Sequence, residues 1–486
     1  MASRHSPPGH PRFTPGLLLA ALCAALAFHL GALPVRAFET TWWVWHRSAP
    51  LSDDESQILA SEGVRKLYWH AGTLRSEGEG WHLEGRLNLP EKGSAAIALA
   101  PVLRLSADGA LPLGAAAAES VSQILMEAAR RAEAGEVQID FDCSDRRLSD
   151  YAGFLAKCRA RIAPIRLSAT ALAGWSKAQA FEKLQAGVDS LMPMFYDLVP
   201  DAPSEVRAGR ALPLVDAASL ANQIESWRTC RIPWFAGVPN FARITVFDRE
   251  GRSRGHLREW DWDSICFNPV LALRAQPAPG VTLLQAGSDA VLVNTPVSKG
   301  ETIACRRPDL VQLAQTLAVA EKAGATGAAI FRLPGAGSQG GWSLRQMDTL
   351  LRERTACAPE FKLRRTPHGL EMINISVSDL APRLAGKSGD HDRGWQLEVE
   401  SSAGAVFREA SPGEFANVFG HAEPDAAEPR RVQIPMAQRL TYWFADLRAG
   451  QSRQTGLLQL APGVEAASLR WRIPHSSENS QWQPIE

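Results

Sequence analysis

Two aspartates one residue apart close an apolar run, "VQIDFD" at residues 137–142. In an extended strand, residues i and i+2 share a face. Asp140 and Asp142 therefore point the same way with Cα atoms roughly 6.5–7 Å apart, and Gln138 lies one step behind them. Two carboxylates this close in a low-dielectric setting do not ionise independently: one takes a raised pKa and can donate a proton while the other stays charged. The plainer alternative is structural, with Asp140 a hydrogen-bonded polar residue that orients loops and Asp142 a cap on the turn into a helix near Ser149.

Other residue types that suit such chemistry recur at the ends of apolar runs. "MFYD", residues 194–197, sets Tyr196 beside Asp197, and "LYWH", 67–70, alternates Tyr68 and His70 on one face with Trp69 on the other. The first face is the one expected to reach the same place as the aspartates. Trp45, Trp175 and Trp234 stand at or just past run ends, where an indole face can stack on the apolar face of a sugar ring and its N–H can meet a hydroxyl. Arg332 stands at the end of the run 327–333 and would bring a fixed cation near the carboxylates. "GAGSQG", 335–340, satisfies G-x-G-x-x-G, but no further parallel strand follows it, so it reads as backbone clearance and not as a nucleotide site.

These residues need a scaffold that brings run ends together. Short apolar runs at 40–45, 65–70, 95–103, 137–142, 165–170, 189–195, 232–237 and 327–333 alternate with helix patterns at 53–62, 119–134, 149–162, 177–187, 216–227, 309–323 and 343–354. That alternation predicts a (β/α)8 barrel over 38–357, which collects strand ends at one face. A hairpin-like "EGEGWHLEGRLNL" replaces the helix between the second and third runs, and an insertion at 240–306 contains two strand-like halves about a turn at Asp248–Gly251. Beyond Cys357, alternating strands with Gly and Pro turns predict a β-sandwich over 358–486.

Residues 1–37 read as a leader: Arg4 and Arg12, an apolar stretch from Gly16 to Leu33, then Val35-Arg36-Ala37. Cleavage after Ala37 and a periplasmic or secreted location are expected, with an uncleaved membrane anchor as the alternative. Lys and Arg number 52 and Asp and Glu 52, a balance that gives no reason to expect nucleic acid. Cys143, Cys158, Cys230, Cys266, Cys305 and Cys357 show no metal-ligand spacing and are core thiols or disulfides. No metal, cofactor or nucleotide is expected, and membrane contact is expected only through an uncleaved leader.

"IDFD" resembles the D-x-D core of the D-x-x-D-x-D-x-E signature of chitinase-like (β/α)8 glycoside hydrolases, and "MFYD" resembles their M-x-Y-D. The resemblance implies that Asp140 and Asp142 match the second and third acids and that Tyr196 and Asp197 hold a distorted sugar. Val137 and Ser144 stand where the first acid and the proton-donating Glu would be; Asp145, or Asp142 with Asp197, are the candidate substitutes. Over more of the chain, "QIDFD" with Tyr151 and Leu155, Ser168–Trp175 and Met192–Met194 resemble the bacterial domain of unknown function 3142 family, which implies an exported barrel and no activity. The resulting expectation is an exported glycoside-hydrolase-like protein acting on a polysaccharide. Its alternatives are a carbohydrate-binding or envelope-assembly protein on a barrel that has lost its acid, and an interaction protein working through the β-rich segment.

Overall fold

The computed structural model describes residues 38–90, 97–107, 111–335, 340–353, 355, 357–384, 393–401, 406–422, 430–462 and 469–486. The leader with its expected cleavage point, and most of the glycine run 335–340, lie outside the described residues. The chain from Glu39 to Glu486 forms one compact unit.

The strands β1 (Glu39–Val44), β2 (Lys66–Glu77), β3 (Ala98–Ser106), β4 (Glu136–Asp140), β5 (Arg166–Leu172), β6 (Ser190–Met194), β7 (Phe235–Pro239) and β8 (Gly327–Phe331) run parallel and pair with their neighbours in chain order. β1 pairs with both β2 and β8, so the sheet closes and no barrel strand keeps a free edge. Around it lie α1 (Asp53–Ser61), α2 (Ala115–Ala132), α3 (Leu148–Ile162), α4 (Phe181–Gly187), α5 (Ala217–Ser226), α6 (Leu310–Lys322) and α7 (Leu344–Glu353). The expected (β/α)8 barrel is thus present. α1 shows how locally its elements are specified: Ser52 accepts from the Glu55 N–H while the Glu55 carboxylate accepts from the Ser52 N–H, which satisfies two donors that the first turn leaves free.

Where the pattern broke, the structure breaks. Between β2 and β3 the chain makes a hairpin, with Gly80–Leu83 antiparallel to the outer half of β2. Between β7 and α6 it builds a five-stranded antiparallel sheet from Arg243–Phe247, Ser253–His256, Leu271–Ala278, Val281–Ala286 and Thr302–Arg306. Arg306 fastens this insertion to the loop after β6: its guanidinium donates to Asp201, to the Leu212 carbonyl and to Thr245. Past Cys357, a three-stranded and a six-stranded antiparallel sheet both feed one apolar cluster that includes Leu363, Met372, Val399, Leu440 and Trp471. Among the described residues the six cysteines are free thiols, and Cys143, Cys158, Cys266 and Cys305 are buried.

Inside the barrel, β4 carries polar side chains at every second position. Glu136, lowest, accepts from the Tyr68 hydroxyl at 2.7 Å and from Lys66 at 2.6 Å. Gln138, next, accepts from the Trp43 indole at 2.7 Å and turns its amide toward Ser168 and Met192. Val137 and Ile139, on the other face, are buried under the helices. Gly237 on β7 leaves the room that the Trp43 ring needs: a Cβ there would stand 2.8 Å from the Pro193 carbonyl and 3.3 Å from the indole. Gly237→Ala is expected to cost about 1–3 kcal/mol by overpacking, read from the urea midpoint with an unchanged m-value.

Candidate functional site

A cavity of about 400 Å³ opens at the carboxyl ends of the barrel strands, the end where barrels place reactive groups. Asp140, the last residue of β4, and Asp142, two residues on, both line it. Between them Phe141 turns outward onto Tyr151 of α3, with ring centroids 5.4 Å apart, so the alternation of the strand persists past its last ladder bond.

Asp140 is mostly enclosed and accepts one hydrogen bond, from the Thr170 hydroxyl of β5 at 2.8 Å. Thr170 in turn accepts from the Phe141 N–H, which fixes the hydroxyl's direction. The Arg104 guanidinium lies 3.9 Å from the other Asp140 oxygen, an ion pair without hydrogen-bond contact. Burial and the neighbouring Asp142 charge outweigh these two favourable partners and raise the Asp140 pKa to about 6. Asp142 is exposed and its carboxylate has no hydrogen-bond partner among the described residues. The cap on the following turn is therefore not observed, and no side chain caps α3, whose N-cap is Arg147.

Tyr196 and Asp197, directly after β6, form the facing wall. The Tyr196 ring lies parallel to Phe331 at 6.1 Å and edge-on to Phe241, and burial with the surrounding aspartates keeps its phenol protonated. Asp197 has φ 56°, in the left-handed region, a strained conformation of the kind that gathers at binding sites. Its carboxylate accepts from Arg243 of the insertion at 2.6 Å. Trp43, Trp45, Phe241 and Phe331 supply apolar walls, and His256 closes the insertion side. Burial and the nearby Arg243 lower the His256 pKa. A second hollow of about 550 Å³ continues outward along the insertion and shares Tyr196, Asp197, Arg243 and His256 with the first.

The structure thus brings Asp140, Asp142, Tyr196, Asp197 and Trp45 into one cavity. Four other expectations are corrected. Tyr68 faces the barrel interior but sits two residues too deep, its hydroxyl engaged by Glu136 at the floor. Trp175, after β5, is fully buried against Tyr151 in the helix layer. Trp234 precedes β7 and lies against Trp227 and Phe195, at the strand's amino end, because that strand starts and ends later than its apolar run. Asp145 opens a single exposed turn and does not line the cavity.

His70 and Arg332 stand beside the cavity without lining it. His70 stacks on Trp45 at 4.2 Å, and burial together with His46 and Arg104 pushes its pKa down to about 4. Arg332 faces His46, whose pKa burial and this positive charge lower. The cation beside Asp140 is instead Arg104, which sequence reading passed over because it follows the apolar residues 95–103 directly and β3 runs on to Ser106. Thr170, Arg243 and Phe241 also line the cavity, and no spacing rule links them to the aspartates. Among the described residues, no group of three His, Cys, Asp or Glu could hold a metal ion.

Among solved structures, the chain is similar to the C-terminal domain of a putative chitinase from Desulfitobacterium hafniense, with 13% identity and a TM-score of 0.46 over 65% of this chain and 99% of that one. It is also similar to a family GH18 chitinase from Chromobacterium violaceum, with 12% identity and a TM-score of 0.38 over 92% and 91%. A third is a class V chitinase from Pseudomonas fluorescens, with 12% identity and a TM-score of 0.40 over 62% and 96%. The curated proteins gave no match. Residues 98–254, which run from β3 into the insertion and carry Arg104, both aspartates and the Tyr196–Asp197 pair, match the family described as Domain of unknown function (DUF3142).

Proposed function

We propose that this chain is an exported glycoside-hydrolase-like protein that acts on a polysaccharide at the barrel mouth, with Asp140 as the group that carries the proton. The observation behind this reading is the environment of the Asp140 carboxyl. It is enclosed, adjacent to a second carboxylate, raised to about pKa 6, and set in a cavity walled by Trp43, Trp45, Phe241 and Phe331. Hydrolysis of a glycosidic bond uses one carboxyl that donates to the leaving oxygen and one that stays ionised. Asp140 meets the first requirement below pH about 6, and Asp142, exposed in the same cavity, is the second carboxyl. Tyr196, a protonated phenol, can donate to a ring substituent, and Asp197, held by Arg243, can accept from a hydroxyl. The groove beyond them gives a chain room on the insertion side. Export rests on the leader reading and is tested by the N-terminal sequence of the chain recovered outside the cytoplasm, expected to begin at Phe38.

A second reading, a carbohydrate-binding protein without turnover, has one specific observation in its favour. Ser144 occupies the place where the resemblance puts the proton-donating Glu, and it is exposed and outside the cavity. Asp140→Asn and Asp142→Asn separate the two readings when hydrolysis and binding are measured on the same glycan panel. For an enzyme, each variant lowers kcat by about 10²–10⁴-fold with ligand binding retained. If the parent chain binds a glycan and releases no reducing ends, the hydrolase reading fails and the binding reading stands.

The raised pKa also has a sign in stability. The folded chain holds the Asp140 proton to higher pH than the unfolded chain does, so stability falls as pH rises from the ordinary carboxylate range near 4 through about 6, and is level above that. Asp140→Asn removes this loss. It is expected to match the parent chain near pH 4 and to exceed it by up to about 3 kcal/mol at pH 7.5, as measured by denaturant unfolding at both values. Turnover should show the same group, falling as pH rises through about 6.

A further inference from the structure

A third cavity, of about 210 Å³, lies between the insertion and the C-terminal sheets, and the function proposed above makes no use of it. Its walls come from Phe267 and Asn268, just past the short helix Trp262–Cys266, and from Asn417, Phe419 and Trp443 on the six-stranded sheet. Phe267 and Phe419 both meet Trp443 edge-on, at 5.9 and 6.5 Å, which leaves ring surfaces at differing angles around a small space.

Arg393 also lines this cavity, and its side chain is at odds with its surroundings. The residue is 5% exposed. One guanidinium nitrogen donates to the Leu271 carbonyl at 2.7 Å, while Nε and Nη2 are buried and meet no acceptor among the described residues. No carboxylate among the described residues pairs with it. The Cys266 and Cys305 thiols act on its charge, and burial holds both in the neutral form. A buried cation with two donors unmet is costly in free energy, and an acceptor anion in the cavity that the guanidinium turned to meet would remove that cost.

The remaining groups narrow the anion's chemistry. Asn268 and Asn417 use their side-chain carbonyls to accept from Val270 and Val418, and their amide N–H groups, which meet no acceptor among the described residues, can donate to hydroxyls. Arg431 lies over the Phe419 ring at 4.0 Å and adds positive charge at the same wall. Aromatic faces suit the apolar face of a pyranose ring, amide donors suit its hydroxyls, and a guanidinium suits a carboxylate.

We propose that this cavity is a second ligand site that binds one acidic sugar residue, with its carboxylate on Arg393 and its ring against Phe267, Phe419 and Trp443. The site is independent of the barrel mouth. It would hold the chain on an acidic glycan whether or not the mouth cleaves anything.

The test is calorimetric titration of the chain from Phe38 onward with methyl glucuronide, methyl glucoside and acetate. The glucuronide is expected to bind about tenfold or more tightly than either of the others, the change that one charge-assisted hydrogen bond supplies. Arg393→Gln should abolish that preference. Because Arg393 is buried and its replacement can disturb folding, Asn417→Asp, an exposed position on the same wall, provides the second arm. A carboxylate there repels the ligand and should abolish the preference without shifting the melting temperature. Asp142→Asn should leave it intact. Equal binding of glucuronide and glucoside, glucuronide no tighter than acetate, no binding of any probe, or loss in Asp142→Asn with retention in Asn417→Asp would each overturn the proposal.

Discussion

The site depends on how a ladder of polar side chains on one face of β4 is satisfied. Glu136, Gln138 and Asp140 all point into a barrel whose interior is otherwise lined by Val102, Ala100, Met192 and Ala329, and a buried polar group without a partner costs about 1–3 kcal/mol. The two lower rungs are met within the barrel, Glu136 by Tyr68 and Lys66, Gln138 by Trp43. The top rung is not met to the same degree: Asp140 has one hydroxyl donor and a guanidinium beyond hydrogen-bond reach. The same strand therefore supplies rigid, satisfied support below and a destabilised carboxyl above. That difference in depth, and not a difference in residue chemistry, separates an acid whose partners are met from one whose pKa is raised.

The walls around that carboxyl come from segments far apart in the chain, and arginines hold them in place. Arg306 ties the last strand of the insertion to the loop after β6, and Arg243 ties its first strand to Asp197 in that same loop. Arg307 stacks on Trp342 at 3.5 Å and pairs with Asp379, whose carboxylate also accepts from the Ser343 and Ala449 N–H groups. Through these contacts the insertion, the segment after β8 and the C-terminal sheets are fixed to one another. The cavity mouth is in this way built on packed elements and not on free loops, the condition under which a binding geometry persists without a ligand.

Much of the scaffold could be read before any coordinate. The eight apolar runs each fall on a barrel strand, and the seven helix patterns each fall on a helix, because alternation of period 2 and period 3.6 is a local property. The hairpin after β2 and the turn at Asp248–Gly251 were legible for the same reason. Strand ends were not: the run at 232–237 starts three residues before β7 and stops two short of its end, and the run at 95–103 stops short of Arg104. A shift of two or three residues moves a side chain from one end of a barrel to the other. That shift puts Trp234 at the amino end of its strand and Arg104 at the mouth.

What the sequence determined by itself was the barrel, the pairing of Asp140 with Asp142 on one face, and the Tyr196–Asp197 step after the sixth strand, since each follows from spacing along a single element. What only the tertiary structure decided was which groups meet. Trp175 and Tyr68 have the same residue chemistry at the same sort of position as Trp45, yet one is buried in the helix layer and one on the barrel floor. Arg393, with no motif around it, lies in a cavity made by two segments about 120 residues or more from contact in the chain, as its bond to the Leu271 carbonyl at a separation of 122 shows. Burial is a property of the whole packed chain, so the pKa of Asp140 and the unmet donors of Arg393 exist only once distant segments have excluded water from them.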